Sequence, residues 1–403
     1  MKAQSARFGD LLSYPLRSGV TVSKDRRGIG IRMINMGELF RYPRLGDVDM
    51  SLVDIDHSDS SRYLVAPGDL LFARRSLTAE GAGKCTIVTS VSRNTTWESS
   101  IIRARLDARR ASPEFYYYLF RSPVGRKLIG SIVEQVAVAG IRSSDLSNLC
   151  VPCPPLHEQR ATTMLLGALD DKIEVNERIA AIYEQLLQLQ FDELGVAGEL
   201  DPANTIMASE LIEFNPKVSK PSTGEAVYVD MAALSTNRAG IQTWARRKPK
   251  SGTRFSNGDT LLARITPCLE NGKTGFVDFM AEGEVGVGST EFIVMRSRPG
   301  IPSELSYFLA RNERFRAHAI RNMVGSSGRQ RVSATDVADF LVNRPKAEAL
   351  TDFGAAVSKA FAHMKSLENE SRTLAALRDT LLPQLMSGRI HVRDAEQVVE
   401  DAL

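Results

Sequence analysis

The stretch LENGKTG at 269–275 ends with the Gly-Lys-Thr of a phosphate-binding loop, and it is the nearest approach to a reactive motif in this chain of 403 residues. The full loop needs a glycine five residues before Gly272, so that backbone N–H groups can cradle phosphate, and that position is Pro267. The residues that follow, GFVDFM, have the pattern of a strand, whereas the motif requires a helix with its N-terminus facing the anion. VGVGS at 285–289 is a GxG without the strand–helix setting of a dinucleotide site. Cys150 and Cys153 form one CxxC, but zinc needs two further ligands at compatible spacing, and Cys85, Cys268 and the five histidines form no second pair. The two cysteines read as small buried hydrophobes on a strand. FNPK at 214–217 does not match the Asn-Pro-Pro-aromatic motif of base methylation, and HExxH, GxSxG and helicase motifs are absent from the sequence. Asp69 and Asp259 each precede a strand and read as turn residues. No catalytic residue, metal ligand or cofactor site is expected in this chain.

Charge gives the next indication. The formal net charge is +3, but residues 1–153 carry 22 basic against 15 acidic groups and residues 201–345 carry 19 against 15. The intervening 154–200 carry 3 against 9, and 346–403 carry 7 against 9. Two basic blocks separated by acidic stretches point to a polyanionic partner. Arginine outnumbers lysine in both, which favours bidentate contacts to phosphate or guanine. No run of about 18 apolar residues is present, so no membrane span is expected. MKAQSARFGDLL lacks the apolar core of a signal peptide, and the four cysteines suit a reducing compartment, so a cytoplasmic location is expected.

The elements that carry these groups are written twice. PGDLLFAR at 67–74 returns as NGDTLLAR at 257–264, with five of eight positions identical. The offset of 190 persists: Glu114 matches Glu304, Tyr117 matches Tyr307, Leu119 matches Leu309, Arg121 matches Arg311 and Arg126 matches Arg316. It then slips by one, pairing Asp145 with Asp336 and Pro154 with Pro345. RMINMGEL at 32–39 resembles VDMAAL at 229–234. A tandem duplication explains this pattern. Each copy has short β-type runs, a helix opening at Ser112-Pro113-Glu114 or near Ser303-Glu304, a polar Gly loop and a short strand ending in proline. Tyr117, Leu119 and Phe120 are expected to pack inward.

A long helix follows each copy. Leu166, Leu169, Ile173, Asn176, Ala180, Tyr183 and Leu187 recur at alternating steps of three and four, a coiled-coil seam in which Asn176 fixes register at a cost in stability. Phe353, Val357, Ala360, Met364, Leu367, Ser371 and Leu374 repeat the spacing. Two such helices in one chain most simply pack on each other, and about forty residues of helix span roughly 60 Å, enough to hold two blocks apart. Pro383 should kink or end the second helix. The fold class expected is α+β: two mixed α/β blocks in tandem pseudo-repeat, at 1–153 and 201–345. They are separated by two long helices, within 154–200 and 346–403, packed as an antiparallel coiled coil.

PPLHEQ at 154–159, GDLLFAR, GDTLLAR, PCLENGKTG at 267–275, GSTEFIV at 288–294 and LRDTLLPQLMSGRI at 377–390 together resemble the specificity subunits of type I restriction–modification systems, over nearly the whole chain. The resemblance implies two target recognition domains, each reading one half of a split double-stranded DNA sequence, with the helices as spacers that also dock two methyltransferase subunits. Restriction subunits of helicase type would join them for phage defence. S-adenosylmethionine, ATP and magnesium would belong to those partners. PKAEAL at 345–350 departs from the PPLHEQ form, which puts equal docking at both ends in doubt. The alternatives are a self-contained DNA methyltransferase or nuclease, for which no segment remains to supply a cofactor fold, and a recognition subunit of another phage-defence system.

The major groove is read by Arg on guanine and by Asn or Gln on adenine, whereas phosphate contacts only position the protein. The DNA-binding candidates of the first copy are Arg74, Arg75, Lys84, Arg142, Ser143 and Ser144. Those of the second are Arg246, Arg247, Lys248, Arg264, Asn271, Lys273, Ser326, Ser327, Arg329, Gln330 and Arg331. Arg74 and Arg264 occur in both copies and are expected on phosphates. Positions that differ between copies, such as Gln330 against Ser143, are expected to specify sequence, so the target should be asymmetric and bipartite.

Overall fold

The repeated phrase builds the centre of each copy. In the computed structural model, residues 5–55, 60–135, 138–221, 224–248, 251–326 and 328–402 are described. Gly68 and Gly258 adopt φ values of +87° and +86°, a left-handed backbone that glycine adopts without steric cost, and each turns the chain into a fully buried strand, Leu70–Ala73 or Asp259–Ala263. The chain divides into two units, Met1–Ile173 with Arg372–Leu403, and Glu174–Ser371. Each unit therefore holds one copy together with a part of both long helices.

In the first unit, Leu70–Ala73 lies third in a five-stranded sheet, after Arg17–Ser18 and Ile101–Ala104 and before Cys85–Val88 and Arg44–Leu45. Helices Pro113–Arg121 and Pro123–Gly130 follow, the first capped by Ser112 Oγ, which accepts from Phe115 N. Tyr116, Leu119 and Phe120 are fully buried and Tyr117 nearly so, packed with Phe8 and Phe72. A second sheet, Ser51–Val53, Arg27–Ile34 and Thr95–Trp97, carries its own small core. Ser5–Arg7 pairs with Cys150–Pro152 and closes the block.

The second unit repeats this plan. Ile212–Phe214, Phe292–Ser297, Asp259–Ala263 and Thr274–Phe276 form one sheet, and Ala245–Arg247, Ala226–Val229, Gly286–Gly288 and Thr253–Phe255 form another. Helices Leu305–Arg311 and Glu313–Arg321 follow, and Thr205–Met207 pairs with Leu341–Asn343.

The long helices run Leu156–Glu193 and Ala347–Met386. In the first unit, Leu166 packs with Leu381, Leu382 and Leu385, and Arg378 pairs with Asp170 at 2.6 Å. In the second, Asn176 Nδ2 donates to Glu370 at 2.8 Å, His363 meets the Tyr183 hydroxyl at 3.1 Å, and Phe191 packs on Phe353. Numbers rise along one helix as they fall along the other, so the packing is antiparallel. Leu166, Leu169, Asn176, Leu187, Val357, Leu367 and Leu374 are buried, and Ile173, Ala180, Tyr183 and Met364 are half-buried. Among the described residues, no helix is long and apolar enough to cross a membrane.

One expectation is narrowed and another needs correction. Of the two outcomes expected at Pro383, a kink or an end, the helix does not end there: it continues to Met386. Cys150 is exposed, because strand alternation turns Val151 into the core and Cys150 out of it. The strand expected after LENGKTG is present, beginning at Thr274.

Candidate nucleic-acid interface

In both copies the strand of the repeated phrase ends at an arginine whose backbone holds a polar ribbon. Arg74 N donates to Ser100 O, and its carbonyl accepts from Ile141 N; Arg264 N donates to Glu291 O, and its carbonyl accepts from Val332 N. One step further, Arg75 pairs with Gly140, and Gly140 with Glu134. In the second copy Ile265 pairs with Arg331, and Arg331 with Val324. The two polar Gly loops therefore occupy the same place on the same backbone ladder, with different side chains. Gly325 and Gly328 have φ of +132° and +78°, so the second loop follows a path that side-chain-bearing residues rarely take.

The carboxylates of the repeated phrase are more than turn residues. Asp69 and Asp259 are fully buried. Arg105 grips Asp69 in a fork at 2.6 and 2.7 Å, and Arg296 grips Asp259 at the same two distances. Each aspartate also closes its turn by accepting a backbone N–H, from Ala66 or Ser256, at 2.8 Å. Sequence spacing missed these clamps, because Arg105 and Arg296 are 36 and 37 residues away along the chain.

The candidate contact residues fall into two groups. One group is half-buried within its own block. Lys84 Nζ donates to Phe40 O at 3.1 Å, and Lys273 Nζ donates to Met231 O at 2.9 Å, so the two lysines tie the same part of each copy. Burial, and then the neighbouring Arg121 and Arg126, hold Lys84 below the usual lysine range. Arg74 is half-buried, with Nη1 3.5 Å from Ser99 O. Arg264 is half-buried too, and its Nε has no partner among the described residues. Arg331 forks onto Glu291 at 2.8–3.0 Å, and these hydrogen bonds hold the Glu291 carboxyl below its usual range. Gln330 is bound through its backbone to Thr266.

The other group faces solvent. Arg75 is exposed beside the first ribbon, Arg142 is exposed while pairing with Glu134 at 2.7 Å, and half-buried Ser143 and exposed Ser144 open the short helix Ser143–Asn148. Asn271, Ser326 and Arg329 are exposed in the second copy; Ser327 lies outside the described residues. Arg246, Arg247 and Lys248 are exposed along an edge strand, with Arg246 paired to Glu284 at 2.8 Å and Arg247 stacked 3.2 Å from the Tyr228 ring. Sequence reasoning also passed over two apolar side chains. Outside the long helices, the most exposed large hydrophobic of each copy is on its ribbon: Leu77 at 94% and Val324 at 72%.

Among the described residues no group of three or more His, Cys, Asp or Glu side chains is placed to hold a metal ion.

No family model matches the chain. Among curated proteins it is similar to the type I restriction enzyme EcoEI specificity subunit of Escherichia coli, 26% identical over 316 residues, which are 76% of this chain and 50% of that protein. It is also similar to the Escherichia coli EcoAI specificity subunit, 32% identical over 131 residues, 31% of this chain and 22% of that protein. The EcoKI specificity subunit of strain K12 is 28% identical over 174 residues, 41% of this chain and 37% of that protein. The chain spans about half, or less, of the length of these relatives. Among solved structures, the type I restriction-modification S subunit from M. genitalium aligns over 95% of each chain with a TM-score of 0.55 and 15% identity, which shows a shared fold. The resemblance read from the PPLHEQ and LRDTLLPQLMSGRI stretches is thus borne out by the relatives the chain matches.

Proposed function

We propose that this chain is the non-catalytic DNA-recognition subunit of a type I restriction–modification complex in the cytoplasm. The observation that carries the reading is the pair of ribbons: one backbone ladder, built twice, presents different exposed side chains. A scaffold with two equivalent but dissimilar reading surfaces suits an asymmetric bipartite target. Residues 1–153 and 201–345 each read one half-site, and 154–200 and 346–403 act as spacers. Arg75, Arg142, Arg329 and the Arg246–Lys248 run supply positive charge for phosphates and base edges, so affinity should fall steeply with salt.

Partner docking has a second support. Val175, Ile182, Leu186 and Leu189 are 47–62% exposed and recur on one face of the second unit's part of the first long helix, the face turned away from its seam. An apolar stripe of this kind suits protein partners. Two methyltransferase subunits, and restriction subunits of helicase type, are the partners proposed. Methyl transfer from S-adenosylmethionine and magnesium- and ATP-dependent translocation belong to them.

The test is to map methylated bases by single-molecule sequencing in a methylation-free host that expresses the cognate methyltransferase with and without this chain. Methylation that requires the chain, at a two-part motif with a fixed gap, is the expected result. Methylation unchanged by the chain, or at a short continuous motif, would overturn the reading.

A further inference from the structure

The first ribbon ends in an apolar tip. Ser76 pairs with Ala139 and Arg75 with Gly140; one residue further along the same two segments stand Leu77 and Val138, 94% and 47% exposed. Leaving a leucine in water forgoes the gain of burying it. A single exposed leucine means little by itself. Here, however, the most exposed large hydrophobic of each block recurs on the same ribbon, and on different strands of it. Val324 occupies the ladder position of Glu134, whereas Leu77 corresponds in sequence to Pro267.

We propose that Leu77, backed by Val138, contacts the C5-methyl group of a thymine in the half-site read by the first block, and that Val324 does the same in the other half-site. This deepens the recognition reading and rests on it. The chemistry follows from what an apolar side chain can bind on duplex DNA. It gains nothing from phosphate, and in the major groove the thymine methyl is the one apolar feature of the base edges. The surroundings favour DNA over a protein partner. The tip belongs to a block with 22 basic and 15 acidic residues, beside exposed Arg75 and Arg142, and the second tip lies near exposed Arg329. Glu134 is the acid nearest in the ladder, and Arg142 pairs with it. Arginine then positions and orients, while the apolar tip separates T·A from C·G where both offer acceptors or donors that a water could bridge.

The proposal fixes an experiment on the assembled complex of this chain with its methyltransferase. Once the motif is mapped, the half-site of the first block is the one that changes when residues 1–153 are exchanged. Each thymine of that half-site, on both strands, is replaced in turn by deoxyuridine, which lacks only the methyl group, and binding is measured for the native complex and for Leu77→Ala. One thymine should lose about fourfold in affinity on demethylation, the effect of burying one methyl-sized group. Leu77→Ala should lose a similar factor on thymine DNA and no longer distinguish thymine from deoxyuridine at that position. Val324→Ala should leave that half-site untouched and act on the other. A half-site without thymine overturns the inference while leaving bipartite recognition intact, and so does a native complex indifferent to every deoxyuridine. Uniform weakening by Leu77→Ala on all DNA would instead mark a wedge between base steps, and loss of methyltransferase assembly would mark a protein contact; either result also overturns it. Failure to find any chain-dependent bipartite motif would be a failure of the recognition reading itself.

Discussion

Ser112, at the head of the first block's helix, gives its N–H to the side chain of Gln159, buried at 2.9 Å in the PPLHEQ stretch; the second block has Pro302 at the matching position and Leu350 in place of the glutamine. Proline has no N–H to satisfy, so the second block needs no buried amide there. Leu350 instead lines an open cleft of about 430 Å³ with Ile301, Pro302 and Gly354. The departure from PPLHEQ is thus a paired change inside the block. More widely, residues that serve the backbone recur in both blocks: the Asp69–Arg105 and Asp259–Arg296 clamps, the Lys84 and Lys273 ties, and the ladders at Arg74 and Arg264. Residues whose side chains face solvent on the ribbons do not recur. The duplication keeps its joints and varies its tips.

The largest effect should come from breaking a joint. Asp69→Ala and Asp259→Ala each strand an arginine and open a turn. Because Arg105 and Arg296 are 29% and 34% exposed, solvent screens part of the loss, and about 2–3 kcal/mol is expected per block. The two blocks can be followed separately, since Trp97 is in the first and Trp244 in the second. Urea unfolding of single-tryptophan variants should show equal losses, each confined to its own block. Unequal losses would break the equivalence of the two clamps.

Next in size is the place where the blocks differ. Gln159→Leu should destabilise the first block by about 2 kcal/mol, because it leaves the Ser112 N–H and the Pro154 carbonyl without partners. Leu350→Gln should not repay this in the second block. It buries an amide opposite a residue with no N–H and should cost about 1–2 kcal/mol. A stabilising Leu350→Gln would show that the cleft, rather than Pro302, decides the residue.

Much of this organisation was legible in the sequence, and the reason is periodicity. The 190-residue offset reported equivalent backbone duties, and the three–four steps from Leu166 to Leu187 reported a seam whose residues are all buried or half-buried. Types and local spacing also disclosed the Ser112 cap. What sequence left hidden depends on distant partners. Asp69 looks like any turn aspartate until Arg105 arrives across the sheet. Lys84 and Arg331 look like free cations until Phe40 and Glu291 occupy them. Leu77 looks like core, because only the fold shows that nothing among the described residues of its own block covers it.

A smaller effect concerns the helix seam, which is polar in different ways in the two units. The first unit buries Asp170 between Arg378 and the Tyr118 hydroxyl, at 2.6 and 2.7 Å. The second buries Asn176, whose Nδ2 is bonded while its Oδ1 has no partner among the described residues. Replacing that asparagine, Asn176→Leu, should therefore stabilise the second unit by about 1 kcal/mol at the cost of register specificity. Thermal unfolding measures the gain, and a loss would mean that the amide contributes more than its orphaned oxygen costs.

The smallest effect separates two carboxylates of the second unit by the sign of their response to pH. Glu184 accepts hydrogen bonds from the Tyr307 hydroxyl at 2.8 Å and from Ala239 N, yet burial outweighs these bonds and raises its carboxyl above the ordinary value of 4.5. A folded value above the unfolded one means that its contribution is fully present below about pH 4.5 and is lost as pH rises through the raised value. Glu291, held low by Arg331, behaves oppositely: its contribution is present above its unfolded value and is lost as pH falls through the lowered one. Glu184→Gln should therefore flatten a decline in stability on the alkaline side of pH 4.5, while Glu291→Gln should flatten a decline on the acid side. Unfolding followed at Trp244 from pH 3 to 8, roughly the span in which carboxylates of this kind titrate, distinguishes the two. If Glu184→Gln left the alkaline slope unchanged, the Tyr307–Glu184 contact would have to be solvated in a way that its burial does not permit.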